Sequence, residues 1–156
     1  MSNEAFMRRA IALAREGMEG GRGGPFGAVV VEAGEIVGEG CNQVTSTCDP
    51  TAHAEMVAIR AACAALGRFD LCGCEVYTSC EPCPMCLSAL YWARVDRVYF
   101  ANDRSDAARI GFDDALIYRE VSLPREARSL PLIRMLEAEA RPAFDAWLRK
   151  ADRVEY

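Results

Sequence analysis

The chain has 156 residues, which is enough for one hydrophobic core but not for two. Hydrophobic residues make up 51% of it and charged residues 26%, a composition that excludes a disordered or fibrous chain. The formal net charge of −5 argues against a nucleic-acid partner, which selects a basic surface, and no apolar run reaches the roughly 18 residues that span a membrane. We therefore expect one soluble, cytoplasmic domain over residues 1–156 whose partner is a small molecule.

The first half of the chain predicts a helix, a hairpin and a second helix. Apolar residues at helical spacing predict a helix over residues 3–19. Short strands are expected over residues 26–31 and 35–39, and a mostly buried helix over residues 51–66 with Gly67 as its stop. The other predicted elements are a loop over 41–50, a strand over 74–78, a helix over 84–93, a strand over 97–101, a polar loop over 102–114, a last strand over 130–136 and a final helix over 141–150 that starts near Pro142.

This order of elements predicts an α/β fold. A helical crossover between two strands leaves them running in the same direction, and the helices cover the faces of the sheet. We therefore expect much of the sheet to be parallel.

A candidate metal site is formed by the only histidine of the chain, His53, together with Cys83 and Cys86. Zinc binds histidine nitrogen and cysteine sulfur in a tetrahedral arrangement, and catalytic zinc keeps three protein ligands and one water. Two cysteines three positions apart at the start of a helix lie on one face, where the helix dipole favours their thiolates. These three residues are the predicted Zn²⁺ ligands.

Glu55 is predicted to be a proton carrier and not a fourth ligand. As first-turn residues of a helix, His53 and Glu55 would point about 200° apart. Zinc lowers the pKa of its bound water to about 7. Removal of an amino group from an aromatic ring also needs a group that protonates the ring nitrogen and the departing amine. The pattern H-x-E followed by P-C-x-x-C is typical of zinc-dependent nucleobase deaminases.

Cysteines elsewhere leave alternatives open. Cys80 stands three residues before Cys83, so that these two could form the ligand pair instead. A disulfide framework is disfavoured in a chain of this length without a secretory leader. The remaining cysteines are expected to be small buried hydrophobic residues; they are Cys41, Cys48, Cys63, Cys72 and Cys74.

The sequence as a whole resembles the bacterial guanine deaminases of the cytidine deaminase superfamily. The stretches that carry the resemblance are residues 23–30, 49–55, 77–86 and 91–94, Gly-Phe-Asp-Asp at 111–114 and the terminal Glu155-Tyr156. The resemblance implies a three-layer α/β/α fold with a central mixed five-stranded sheet, a homodimer and hydrolysis of guanine to xanthine and ammonia. It also implies that the C-terminal strand and helix, about residues 130–156, complete a partner's site.

The same resemblance implies roles for residues outside the metal motif. Asn42 is expected to hydrogen-bond the purine, Phe26 to pack on it, and Asp114 to act as the acid near the departing amine. The further substrate contacts implied are Ala54, Trp92 from a neighbouring subunit, and Tyr156, which closes its own pocket or its partner's.

Simpler roles are possible for the same residues. Asn is a frequent turn residue, so Asn42 could only fix its loop, and Asp114 could be a helix N-cap. Phe26 and Trp92 could belong to the core, and Tyr156 could be a frayed end.

Two other functions also fit the zinc motif. A tRNA adenosine deaminase would share the stretch from residue 49 to residue 55, but its partner requires clustered basic residues that are scattered here. A non-catalytic interaction module stabilised by zinc would need a fourth protein ligand, for which Cys80 is the candidate.

Overall fold

The computed structural model describes residues 3–156, which form two compact units, one ending at Asp114 and the other spanning Ala115–Tyr156. None of the helices in these residues is long and apolar enough to cross a membrane. The elements are α1 (Asn3–Glu19), β1 (Gly27–Glu32), β2 (Glu35–Cys41), α2 (Val44–Thr47), α3 (Ala54–Leu66), β3 (Cys74–Cys80), α4 (Pro84–Trp92), β4 (Arg97–Asn102), α5 (Arg104–Arg109), α6 (Ala115–Ser122), a 3₁₀ turn (Arg125–Ala127) and α7 (Glu137–Arg149).

The sheet is mixed, with the strand order β2-β1-β3-β4. β1 pairs antiparallel with both β2 and β3, and only β3 and β4 pair in parallel. The expectation of a mostly parallel sheet was therefore wrong. The α3 crossover does leave β2 and β3 running in the same direction. However, β1 lies between them and pairs antiparallel with both strands.

The two faces of β1 bury alternate residues, which creates a layer on each side of the sheet. On one face α1 packs against a small aromatic and aliphatic cluster made of Phe6, Ala10, Val29, Val31 and Tyr77. On the other face α3 and α4 pack against the larger cluster, made of Ala28, Val30, Ala54, Ala58, Ala62, Leu71, Cys74, Val76, Leu90 and Ala93. The first unit is thus a helix layer, a sheet and a second helix layer.

The predicted fifth strand over residues 130–136 is absent, and the sheet has four strands. The apolar residues of this stretch are exposed, from 49% at Leu132 to 80% at Ile133. Leu136 has a positive φ of 52°, which interrupts an extended backbone. The unit Ala115–Tyr156 contains no strand with which the stretch could pair, and a lone strand leaves its backbone groups without partners.

Four helices also differ from expectation. α2 lies in the loop predicted over residues 41–50, and no element was predicted where α6 lies. α5 lies in the predicted polar loop because Asp103 and Asp106 form a capping box that stabilises its first turn. α7 begins at Glu137, so Pro142 lies inside the helix and not at its start. Glu137 pairs with Arg141 one turn later, which supports the first turn ahead of the proline.

α3 lies very close to β2, and this contact positions the candidate site. Ala54 and Ala58 face Gly40, where an added Cβ would be 2.3 Å from the carbonyl oxygen of Ala54 and 2.7 Å from the nitrogen of Ala58. Side chains this small let the helix backbone rest on the strand. This packing fixes the distance between the sheet and the N-terminus of α3, where His53 and Glu55 lie.

Candidate metal centre and active site

The metal centre is built at the N-termini of two helices. His53 is the N-cap of α3 and Cys83 the N-cap of α4, both with extended backbones (φ −67°, ψ 158° and φ −65°, ψ 168°), and neither side chain caps its own helix. His53 was expected in the first helical turn, but it lies before that turn. Its side chain points towards Cys83.

The three predicted ligands form one cluster. The Nδ1 atom of His53 lies 3.5 Å from the Sγ atoms of both Cys83 and Cys86, and the three atoms all lie within 4.8 Å of one another. Zinc bonds of about 2.3 Å to sulfur and about 2.0 Å to nitrogen at a tetrahedral angle imply a sulfur–nitrogen distance of about 3.5 Å. The spacing of these ligand atoms therefore fits zinc.

The thiols of Cys83 and Cys86 differ in their pKa. Hydrogen bonds from Cys86 and His53 lower the pKa of Cys83 to about 4, while the same bond to Cys83 and burial raise the pKa of Cys86. The bond to Cys83 also raises the pKa of His53. Cys83 is thus the thiol that ionises more readily, and a thiolate is the form that binds a metal.

Glu55 lies beside these ligands. Its Oε2 is 3.4 Å from the Sγ of Cys86, and its side chain is almost completely buried, with 6% of the residue exposed. Burial raises the pKa of Glu55, because a carboxylate loses its hydration there. A carboxyl group with a raised pKa can both accept and release a proton near neutral pH.

Asn42 is held by its side-chain oxygen. The Oδ1 atom accepts hydrogen bonds of 3.2 Å from the backbone N–H groups of Gly24 and Val44. The amide nitrogen of Asn42 donates to no other group in residues 3–156, although the side chain is buried. Asn42 does fix its loop, and in doing so it presents a donor. The next residue, Gln43, donates to the carbonyl of Ala52, which places Asn42 near His53.

Phe26 packs edge to face on Phe112, with ring centroids 4.9 Å apart and planes at 88°. Phe112 is a further candidate substrate contact for which the sequence predicted no role, although it lies within the Gly-Phe-Asp-Asp stretch. Two residues later, Asp114 interacts electrostatically with Cys83. Burial raises the pKa of Asp114, while the charge of Arg104 opposes this rise.

Together these contacts link the candidate residues in one continuous series. The series runs from Asp114 to Cys83, His53, Ala52, Gln43, Asn42, Gly24, Phe26 and Phe112. It combines two of the metal ligands, a carboxyl group, an amide donor and two aromatic rings, and Glu55 adds a second carboxyl group beside Cys86. Such a set can bind and attack a flat heterocycle.

The other predicted substrate contacts differ in exposure. Ala54 is fully buried at the first position of α3. Trp92 is 67% exposed at the end of α4, so the alternative that it belongs to the core is wrong. Tyr156 is 72% exposed.

The remaining cysteines take no part in the cluster. Cys80 is buried, its Sγ lies 3.7 Å from the carbonyl oxygen of Asp103, and burial raises its pKa to about 11. In residues 3–156 the one group of potential metal ligands is His53, Cys83 and Cys86, so a closed site with Cys80 as fourth ligand is not formed. No cysteine in the described residues forms a disulfide. Cys48 and Cys72 were expected to be buried, but both are exposed.

Residues 1–102 match the family model described as the cytidine and deoxycytidylate deaminase zinc-binding region. The chain belongs to this deaminase family. The family model and the ligand spacing agree on the metal, and the cofactor of this deaminase is zinc. His53, Cys83 and Cys86 are positioned to bind it.

Known relatives extend the comparison over the full length of the deaminase. It is 51% identical to the guanine deaminase of Bacillus subtilis over 156 residues, which cover 100% of both chains. It is 44% identical to the tRNA-specific adenosine deaminase of Aquifex aeolicus over 101 residues, which cover 65% of this chain and 66% of that one.

Two solved structures of guanine deaminases are also similar to this chain. The crystal structure of the Bacillus subtilis guanine deaminase superposes with a TM-score of 0.97 and covers 100% of this chain and 99% of that one. A guanine deaminase from Nitrosomonas europaea, 36% identical, superposes with a TM-score of 0.70 over 73% of this chain and 66% of that one.

We predict that Cys86→Ser lowers zinc affinity about 100-fold or more, because a hydroxyl is a much poorer zinc ligand than a thiolate. Cys80→Ser is the matched control and should keep one zinc per chain. Metal analysis after dialysis against a weak chelator measures both variants, and zinc-edge absorption spectroscopy of the unmodified deaminase should show two sulfur ligands. Three sulfur ligands, or equal zinc loss in Cys80→Ser, would contradict the assignment.

Proposed function

We propose that this deaminase hydrolyses guanine at its 2-amino group and releases xanthine and ammonia. The observation that carries the proposal is the 51% identity to the Bacillus subtilis guanine deaminase, which extends over every residue of both chains. The aligned length spans the positions of Asn42, Asp114 and Tyr156. The match to the tRNA-specific adenosine deaminase of Aquifex aeolicus covers only 65% of the chain, and the net charge of −5 does not favour a tRNA partner.

The proton transfers are assigned to Glu55. His53, Cys83 and Cys86 would hold the zinc ion, which would supply a nucleophilic water at neutral pH. Glu55 takes a proton from the attacking water and delivers it to the ring nitrogen next to the attacked carbon. It then carries the second proton to the amino group, so that one water is consumed and one ammonia leaves. Its burial and its position beside Cys86 support this role.

The groups that recognise the ring are assigned to the rest of the site. The amide nitrogen of Asn42 donates to a purine acceptor, and the first-turn N–H of Ala54, which has no acceptor within its helix, offers a second donor. Phe26 packs on the face of the ring. Asp114 is assigned as the acid group beside the departing amine, which donates a hydrogen bond to its carboxyl oxygen while Glu55 delivers the proton.

We expect ammonia release from guanine and from no other base in a panel of guanine, adenine, cytosine and a tRNA anticodon stem. The proposed contacts require a purine that carries an amino group near Asp114 and a hydrogen-bond acceptor near Asn42. Coupled ammonia detection and chromatography of xanthine measure the outcome. Release only from the adenosine of the tRNA stem would replace the proposal by the alternative function.

Glu55→Gln should keep one zinc per chain and lose about 100-fold or more in kcat on guanine, because the amide cannot carry protons. Glu35→Gln, an exposed glutamate in the β1–β2 hairpin, is the matched control and should retain the original kcat. Metal analysis and steady-state kinetics on the same preparations separate loss of zinc from loss of proton transfer. A zinc-bound Glu55→Gln enzyme with the original kcat would refute this role.

We further infer that the functional form is a homodimer whose C-terminal segments are exchanged, so that Trp92 and Tyr156 act on the partner's site. The unit Ala115–Tyr156 has no buried residue in the protomer. Its exposed apolar residues include Leu116, Ile117, Val121, Leu130, Ile133, Met135, Phe144, Leu148 and Val154. A surface this apolar calls for a covering partner, and a second copy of the chain supplies one through closed symmetry.

Complementation tests this exchange. Co-expressed Glu55→Gln and Tyr156→Ala chains should recover about a quarter of the original activity, because half of the dimers are mixed and each mixed dimer has one intact site. The expectation holds if Tyr156 of one chain serves Glu55 of the other. Sedimentation analysis should report a dimer. Activity equal to the mean of the two parent enzymes would show that both residues act within one chain.

A further inference from the structure

The glycine pair Gly23-Gly24 joins the amide and the aromatic parts of the proposed site. The N–H of Gly24 donates to the side-chain oxygen of Asn42 at 3.2 Å, and the backbone N–H of Asn42 donates to the carbonyl of Phe26 at 2.9 Å. The N–H of Phe26 donates to the carbonyl of Gly24 at 2.9 Å, which forms a tight turn around Pro25. One short turn therefore sets both Asn42 and Phe26.

Space, and not backbone conformation, requires glycine at these two positions. Neither residue has a positive φ. A Cβ on Gly23 would lie 2.2 Å from Oδ1 of Asn42, and a Cβ on Gly24 would lie 2.9 Å from Cζ of Phe112 and 3.1 Å from Cε2 of Phe26. The missing side chain at Gly24 is thus the space into which the edge of Phe112 fits against Phe26.

We propose that Gly24 is a positioning residue for purine binding, which acts by leaving room for the Phe26–Phe112 pair. This role rests on the proposed guanine activity. The three atoms nearest to a methyl group at residue 24 are all ring atoms of Phe112 and Phe26, so the chain can still fold, but the rings must move. Displacement of the rings weakens the packing of the base while the zinc ligands and Glu55 stay in place.

The consequence is a change in KM more than in kcat. Gly24→Ala should raise the KM for guanine about 10-fold and change kcat by less than about threefold, with one zinc per chain retained. Gly34→Ala is the matched control. Gly34 lies in the β1–β2 turn with a φ of 85°, and its Cβ would meet no atom within 4 Å. This control should lower the melting temperature through backbone strain and leave KM unchanged.

The experiment compares Gly24→Ala, Phe112→Leu, the double variant and Gly34→Ala in guanine kinetics, metal analysis and thermal melting. In the Phe112→Leu background, Gly24→Ala should change KM by less than about twofold, because the closest ring atom is gone. If Gly24→Ala alone does not fold, the same comparison between Phe112→Leu and the double variant decides. An unchanged KM in Gly24→Ala, an equal rise in both backgrounds, or a double variant that does not fold overturns the proposal.

The outcome for the original enzyme separates the two proposals. Absence of guanine hydrolysis by the unmodified, zinc-loaded enzyme refutes the proposed function. Normal hydrolysis by that enzyme with a normal KM in Gly24→Ala refutes only the positioning role.

Discussion

The site depends on two helices that begin at the same place. His53 and Cys83 are the N-cap residues of α3 and α4, and both have an extended backbone. Their side-chain directions are therefore not set by the helix geometry. The first turn of a helix also offers free N–H groups and the positive end of the dipole. Cys83, Cys86 and Glu55 can therefore lie close together at the N-termini of α3 and α4, since the dipoles of both helices favour negative charge there. Cys86, one turn into α4, completes the set of ligands.

The sheet and the close contact of α3 with β2 hold these helix ends together. α4 follows directly from the carboxyl end of β3, and the N–H of Glu81 donates to Asn102 at the end of the parallel strand β4. Sites at the carboxyl ends of parallel strands are common in α/β proteins, because helices start there. α3 reaches the same edge because Gly40 lets its backbone rest on β2. Metal ligands that are distant in the chain thus meet through backbone packing.

In the proposed mechanism, the chemistry and the choice of base are carried by different parts of the chain. The metal ligands and Glu55 would suit any amino group next to a ring nitrogen, and relatives named as guanine and as tRNA-specific adenosine deaminases both match this chain. Asn42, Phe26, Phe112 and Asp114 come from three other segments, which the contacts around Gly24 and Cys83 link to the metal centre. Recognition can therefore change among relatives while the hydrolytic centre is kept.

Apart from the short helix α2, which lies in a predicted loop, the sequence alone determined the helices and strands of the first hundred residues and the candidate metal ligands, because hydrophobic period, glycine stops and the H-x-E and P-C-x-x-C spacings are local signals. α1 was predicted over the residues that form it, and β1 to β4 within two residues at each end. Only the tertiary structure decided the antiparallel neighbours of β1, the position of His53 before its helix, the edge-to-face contact of Phe26 with Phe112, and the absence of a fifth strand. Those features depend on which distant segments pack together. Residues 130–136 are apolar enough for a strand, but a strand forms only where another strand is available to accept its hydrogen bonds.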